Sequence, residues 1–407
     1  MANPIVGLDI GTTKIGVIIG EIDPGGAVKI VGVGVSPSDG LRKGVVVNIE
    51  KTVKSIEHAV GEAELMAGVD VESVHVGIAG DHIKSINSRG VIAVSRHDNE
   101  ITRQDVDRVI EAARAVAIPL DREMLHVIPQ DYVVDDQPGI KDPVGMSGVR
   151  LEGDVHIVTG AITSVQNLYK SVEKAGLKVS SVVLEPLASA YAVLEGDERE
   201  LGCAVIDIGG GTTDLIVFND DNVRHTASIG LGGRNVTNDL AIGIRTPLER
   251  AEEIKRSHGT CLRAVTDGEY IPVPGVGGRE EREVSRAVLA SIIEPRMREI
   301  FTLALRELQK NHYLDTLGAG IVLTGGCARL HGAAELAEQV FGMPVKVGVP
   351  KGVGGLVDAV ASPAHATGVG LVRYGAARLA NGRDEDLGSD RMRGLFKKMS
   401  EWVRQYV

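Results

Sequence analysis

The sequence predicts an α/β fold of two related lobes, with a small α+β module inserted into the first. Three observations lead there. Apolar strand-like runs alternate with helix-like segments along most of the chain. An apolar strand, an aspartate, a Gly/Thr turn and a second apolar strand occur in that order twice, with Asp9 and Asp207 half a chain apart. Between the two copies, from about Ile83 to Ile162, the pattern changes character.

The elements follow in order. Ile5–Asp9, Ile15–Ile19 and Ile30–Val35 read as an antiparallel meander. A helix is expected from about Lys51 to Met66, because Ile56, Ala59, Val60 and Ala63 share one face. Ser73–Ile78 is the next strand. In the insert, a short helix over Thr102–Val116 lies between strands such as Leu125–Val134 and Val155–Ile162, and Asp135–Gly148 reads as a loop. Leu184-Glu185-Pro186-Leu187-Ala188 reads as a strand ending at Glu185 and Pro186 before a helix of small residues. Ile321-Val322-Leu323-Thr324 reads as a strand ending in Gly325-Gly326, before a helix over Leu330–Val340. Thr367-Gly368-Val369-Gly370-Leu371 reads as a Gly-rich crossing into a last core helix.

Composition narrows the function classes. Of 407 residues, 43% are apolar and 24% charged, which suits large cores and excludes a disordered chain. The 51 glycines point to tight turns and to backbone lying close to a ligand. A net charge of -11 argues against bulk nucleic-acid binding, which needs a basic face. Cys203, Cys261 and Cys327 lack metal-ligand spacing and suit a reducing cytoplasm. The start of the chain shows no secretory signal, and no run reaches the ~18 apolar residues of a membrane span.

The two turns carry the chemistry. A polyphosphate needs backbone N–H donors at close range, and Gly11, Gly209, Gly210 and Gly211 permit that approach. Thr12, Thr13, Thr212 and Thr213 add hydroxyl donors, and Lys14 places positive charge near a β-phosphate. A carboxylate beside a phosphate is repulsive unless a cation lies between them, so Asp9 and Asp207 imply Mg²⁺ held through its waters. Glu185 faces the expected cleft, and Gly325-Gly326 offer a seat for an adenine or α-phosphate.

These segments, in this order, resemble the superfamily of actin, the heat-shock chaperone ATPases and the sugar kinases, over nearly all of residues 1–380. The resemblance implies an actin-like two-lobed ATPase fold with ATP and Mg²⁺ between the lobes. It implies that Asp9 and Asp207 hold the metal's waters and that Glu185 positions the attacking water. It assigns Gly325-Gly326 to the base loop, and Glu252 and Lys255 to a helix contacting the adenosine. By spacing alone, Glu252 and Lys255 are only a charge pair on a solvated helix.

Gly230-Leu231-Gly232-Gly233-Arg234-Asn235, the segment Ile293-Glu294-Pro295-Arg296 and the insert together resemble the FtsA family of bacterial cell-division proteins. The resemblance brings Gly232 and Gly233 into the nucleotide site. It divides the chain into a first lobe (1–82, 163–195 and 365–380) carrying the insert at 83–162. A second lobe (196–244 and 316–364) carries a subdomain at 245–315, and a linker at 381–390 leads to a C-terminal amphipathic helix at 391–407. It also implies slow ATP turnover at most, polymerisation, further division partners on the insert, and binding of the tubulin-like protein FtsZ. For the FtsZ tail, Arg282, Arg286, Arg296 and Arg298 are candidates, since arginine grips carboxylates bidentately.

The last segment supports a membrane role from its own pattern. On a helix, Met392, Leu395, Phe396, Met399, Trp402, Val403 and Tyr406 fall on one side. Arg391, Arg393, Lys397, Lys398 and Arg404 fall on the others, against only Glu401. That pattern describes a helix lying in an anionic membrane interface on the cytoplasmic side. The alternative is a terminal helix packed on the core. At the level of the whole chain, the rivals are a pilus-assembly relative of the same fold, a chaperone and a sugar kinase. A chaperone needs a substrate domain after the ATPase core, and a sugar kinase needs a base and a sugar pocket, for which no motif is present.

Overall fold

The computed structural model describes residues 4–94, 99–262 and 268–380. The chain opens with β1 (Ile5–Ile10), β2 (Lys14–Ile22) and β3 (Val28–Pro37), the expected meander, followed by the short hairpin β4 (Leu41–Arg42) and β5 (Val45–Val46). Helix α1 (Ile49–Ala67) starts on Asn48, whose side chain accepts from Lys51 N at 3.0 Å, and stops at Gly68 with φ 70°. It lies close against β3 because Gly32 and Gly34 stand opposite its Ala59 and Ala63, where any Cβ would collide. Strand β6 (Ser73–Ile78) then pairs in parallel with β1.

The insert follows. It consists of β7 (Lys84–Ala93), α2 (Arg103–Arg114), β8 (Arg122–Val134), β9 (Gln137–Ile140) and β10 (Arg150–Ala161), with sheet order β7-β10-β8-β9. Ile101, Val106, Val109 and Leu151 form its own core. The stretch expected to be a loop contains β9. Asp135 and Asp136, with φ of 44° and 71°, turn the chain so that Gln137–Ile140 pairs back on β8 despite its Pro and Gly.

The chain returns to the first lobe through α3 (Ile162–Lys174), β11 (Lys178–Leu184), α4 (Glu185–Val193) and α5 (Gly196–Leu201). The second sheet begins with β12 (Cys203–Ile208), β13 (Thr213–Asn219) and β14 (Asn222–Ile229). Then come α6 (Gly233–Gly243), α7 (Leu248–His258), the hairpin β15 (Tyr270–Val273) and β16 (Arg282–Ser285), and the long α8 (Arg286–Lys310). The last elements are β17 (Ile321–Thr324), α9 (Ala333–Phe341), β18 (Val345–Val347), β19 (Gly354–Gly355), α10 (Val357–Val360) and α11 (Ala366–Ala380). The helix expected from Leu330 starts at Ala333, because a 3-10 turn over Gly326–Arg329 comes first. Gly354–Gly355, placed with the second lobe on sequence grounds, pairs with β3 of the first sheet.

The two large sheets share one design. Apart from the two-residue β19 added beside β3, the first runs β3-β2-β1-β6-β11, and the second runs β14-β13-β12-β17-β18. In both, the first two pairings are antiparallel and the last two parallel. Each central strand is wholly buried, because helices cover both faces. The duplication visible in two short turns therefore extends to whole sheets. Among the described residues no helix is long and apolar enough to cross a membrane. The expected linker and amphipathic helix lie outside the described residues.

Candidate functional site

Both turns are four-residue reversals closed by the same hydrogen bond. Gly11 N donates to Lys14 O at 3.0 Å, and Gly209 N to Thr212 O at 3.0 Å. Gly210 lies against Thr13 and Gly211 against Thr12, so closely that a Cβ on either glycine would collide with the facing threonine. The turns thus interlock at the base of the two lobes, and only glycine on one side allows it. Lys14 Nζ sits 3.8 Å from Asp9 and donates to the carbonyl of Ala364, tying the first turn to the approach of α11.

Four carboxylates gather at this junction. Asp9 and Asp207 end their strands, Asp214 stands opposite Asp207 in the β12–β13 register, and Glu185 opens α4. Burial pushes Asp207 up to about 6, while hydrogen bonds from Ser189 and Thr367 pull against it and the Asp9 charge adds to the rise. Burial, reinforced by Asp207 and Asp81 and opposed by the hydroxyl bond from Thr212, takes Asp214 up to about 7. Glu185 is raised well above the usual carboxylate range by burial and then by Asp9, Asp214 and Asp207. Asp9 is raised by burial, with Lys14 opposing. A buried group of acids with one lysine nearby is short of positive charge. Among the described residues no three His, Cys, Asp or Glu side chains are arranged to ligate a metal directly.

Several contacts were not legible in the sequence. Ser189 Oγ donates to Asp207 Oδ2 at 2.5 Å, and Thr367 Oγ1 lies 3.3 Å from the same oxygen. Thr212 Oγ1 donates to Asp214 Oδ2 at 2.8 Å. Ser189 falls four residues after Glu185 on α4, a spacing that puts both on one face and was the available signal. Glu185 itself opens α4 rather than closing the strand before it, since Pro186 is well placed in a first helical turn.

The remaining candidates take distinct places. Gly233 N donates to Gly209 O at 2.9 Å and Arg234 N to Gly210 O at 2.8 Å, so the start of α6 braces the second turn, with Gly232 backed against it. Thr213 supports this region by donating to Leu231 O at 2.9 Å. Lys255 is buried and donates to Glu252 at 2.6 Å, Thr237 at 2.8 Å and Gly233 O at 3.1 Å. The charge pair expected on a solvated face is therefore half inside, at the foot of α6. Gly325, with φ 84°, packs on Asp207 and Ile208, whereas a side chain at Gly326 would meet open space.

The four arginines are all engaged within the chain. Arg282 donates to Ile244 O and Arg286 to Glu269. Arg296 forks onto Asp239 at 2.6 and 3.1 Å, and Arg298 reaches Glu294 at 3.0 Å.

Comparison with known proteins agrees with this geometry. The fold is shared with one chain of a PilM-PilN type IV pilus biogenesis complex (TM-score 0.67, 17% identity, covering 92% of this chain and 99% of that one). It is shared also with MreB5 of Spiroplasma citri, solved bound to ADP (TM-score 0.58, 14% identity, 94% and 99% covered). Two sheets of one topology, joined at paired glycine turns and flanked by buried acids, define an actin-like protein. A family model described as cell division protein FtsA matches residues 204–370, and one for the SHS2 domain inserted in FtsA matches residues 80–159. The cell division protein FtsA of Pseudomonas aeruginosa is 49% identical, covering 98% of this chain and 97% of the relative. That of Escherichia coli K12 is 41% identical over the same shares. The chain belongs to the FtsA family of bacterial cell-division proteins.

Proposed function

We propose that this chain binds Mg·ATP between its two turns, polymerises, and links FtsZ to the cytoplasmic face of the membrane at the division site. The observation that carries the first step is the convergence of the two glycine turns on a buried carboxylate cluster that Lys14 alone leaves short of positive charge. The turns supply N–H donors for phosphate oxygens, and Asp9 and Asp207 would hold a magnesium ion through its waters. When bound, that ion screens charge along the triphosphate. Lys14 steadies the phosphates, Gly326 leaves room for the nucleoside, and Lys255 with Glu252 lines its far side. Turnover is slow, so ATP acts mainly as a structural ligand.

The division proposed for the chain is the one read from its sequence, with 83–162 as the module offered to other division proteins. For the acidic tail of FtsZ, the proposed contacts remain Arg282, Arg286, Arg296 and Arg298. Arg298, with 42% of its side chain exposed, and Arg282, which is also exposed, are placed to meet an incoming carboxylate. Segment 391–407 supplies the lipid contact through Met392, Leu395, Phe396, Met399, Trp402, Val403 and Tyr406, with Lys397 and Lys398 toward the headgroups. One such helix holds weakly, and a polymer presents many at once.

Asp207→Ala tests the core of the proposal. Equilibrium dialysis with Mg·ATP should show binding lost, and undiminished affinity would mean that the metal and nucleotide sit elsewhere.

A further inference from the structure

A narrow cavity of about 10 Å³ lies beside the acidic cluster, lined among others by Ile10, Gly77, Ile78, His82, Ser164 and Glu185. That is room for one water molecule. Both ring nitrogens of His82 are buried and lack a hydrogen-bond partner in the protein. A neutral imidazole carries one donor and one acceptor, and leaving both unmade is costly. The backbone of His82 is held, since Arg122 Nη2 donates to its carbonyl at 2.8 Å. The glycines at 80 and 77 leave the space that the His82 ring and the Glu185 side chain occupy, because a Cβ there would stand 2.8 Å from Nδ1 and 3.0 Å from Cγ. The cavity is therefore the right size for a water, polar on three sides, and adjoins a histidine with unmet hydrogen-bonding capacity.

We propose that one water molecule occupies this cavity, hydrogen-bonded to His82, Ser164 and Glu185, and that His82 acts through it as a positioning residue for Glu185. The inference rests on the reading of Glu185 as the acid that orients the attacking water. In that step the oxygen of a second water bonds to the terminal phosphorus while the bond to the bridging oxygen breaks. The electron pair leaves with ADP, and the attacking water, oriented by Glu185, passes its proton to a phosphate oxygen. A hydrogen bond from the cavity water fixes one carboxylate oxygen and leaves the other facing the phosphate. His82 lies two residues before β7 and Ser164 in the first turn of α3, just after β10. Both roots of the insert thus border the cavity.

Full-length wild type, His82→Ala, His82→Gln, Glu185→Gln and the His82→Ala/Glu185→Gln double variant test this by steady-state ATP hydrolysis. His82→Ala should lower kcat about tenfold with KM for ATP and melting temperature unchanged. His82→Gln, which keeps a donor and an acceptor, should recover most of the loss. In the Glu185→Gln background, His82→Ala should cost nothing further. A crystal structure of the wild type should show a water within hydrogen-bond distance of the ring and the carboxylate. An unchanged kcat in His82→Ala, an additive loss in the double variant, or a dry cavity overturns the inference while leaving Glu185 its role. A kcat in Glu185→Gln equal to wild type overturns both. Should His82→Ala fail to fold, His82→Gln against Glu185→Gln and the water position decide.

Discussion

At the scale of the residue, the site is defined by carboxylates held where water cannot fully solvate them. Asp214 shows the consequence most clearly. Its ordinary value of 3.8 rises to about 7 in the folded protein. Between those values the native state keeps a proton that the unfolded chain has released, so stability falls as pH rises through that window. Asn at this position mimics the protonated acid. Nucleotide-free Asp214→Asn should therefore melt above wild type at pH 8, by roughly 2–4 °C or more, and the gap should narrow as pH falls to 4.5. Calorimetry across that range checks it, and a constant gap would contradict the assignment. Asp9 and Asp207 were legible in the sequence because their surroundings repeat. Asp214 lay in plain view within the second copy but gained its meaning only from what packs around it. The first copy has Gly16 at the corresponding place, opposite Asp9, so the repeat gave it no support. Ser189, Thr367 and His82 come from other segments altogether: Ser189 is marked only by its spacing from Glu185, and no local pattern marks His82.

At the scale of the element, glycine separates the sequence reading from the structure. Thr367–Leu371 read as a crossing because Gly normally interrupts a helix. Instead Gly368 and Gly370 lie inside α11. Gly370 faces the carbonyl of Ala188, where a Cβ would overlap it, and Gly368 O sits against Gly7 of β1. The helix accepts a propensity penalty so that α4 and α11 can cross in near backbone contact, holding Ser189 and Thr367 3.0 Å apart over Asp207. Gly370→Val should cost about 2–4 kcal/mol by urea denaturation, and should weaken nucleotide binding with it. An unaltered midpoint would show that the crossing relaxes freely. Elements with strong periodicity, such as α1 and the meander β1–β3, were legible to within a few residues. Strand β9 was hidden because its Pro and Gly satisfy turn rules, and only pairing with β8 makes it a strand.

At the scale of the whole molecule, duplication is the organising fact: two sheets of one topology meet at two copies of one turn. The proposed membrane link belongs to this scale too, because as proposed it draws on many copies acting together. Trp402→Glu in the full chain should abolish co-sedimentation with anionic liposomes in the presence of ATP while leaving nucleotide affinity intact. Persistent pelleting would assign the lipid contact to another surface.

The insert hangs from the first lobe yet also rests on the second. Ser85, Asn87 and Gln130 donate to the carbonyls of Thr226, Arg224 and Val223 at 2.8, 3.3 and 2.5 Å, and Asp131 pairs with Arg224 at 2.5 Å. All of those acceptors lie on β14, the border strand of its sheet. A border strand is ordinarily a template on which a foreign chain can lengthen the sheet. Here side chains of the same molecule already occupy the carbonyls of Val223, Arg224 and Thr226, so a segment approaching that stretch of the margin finds its acceptors taken.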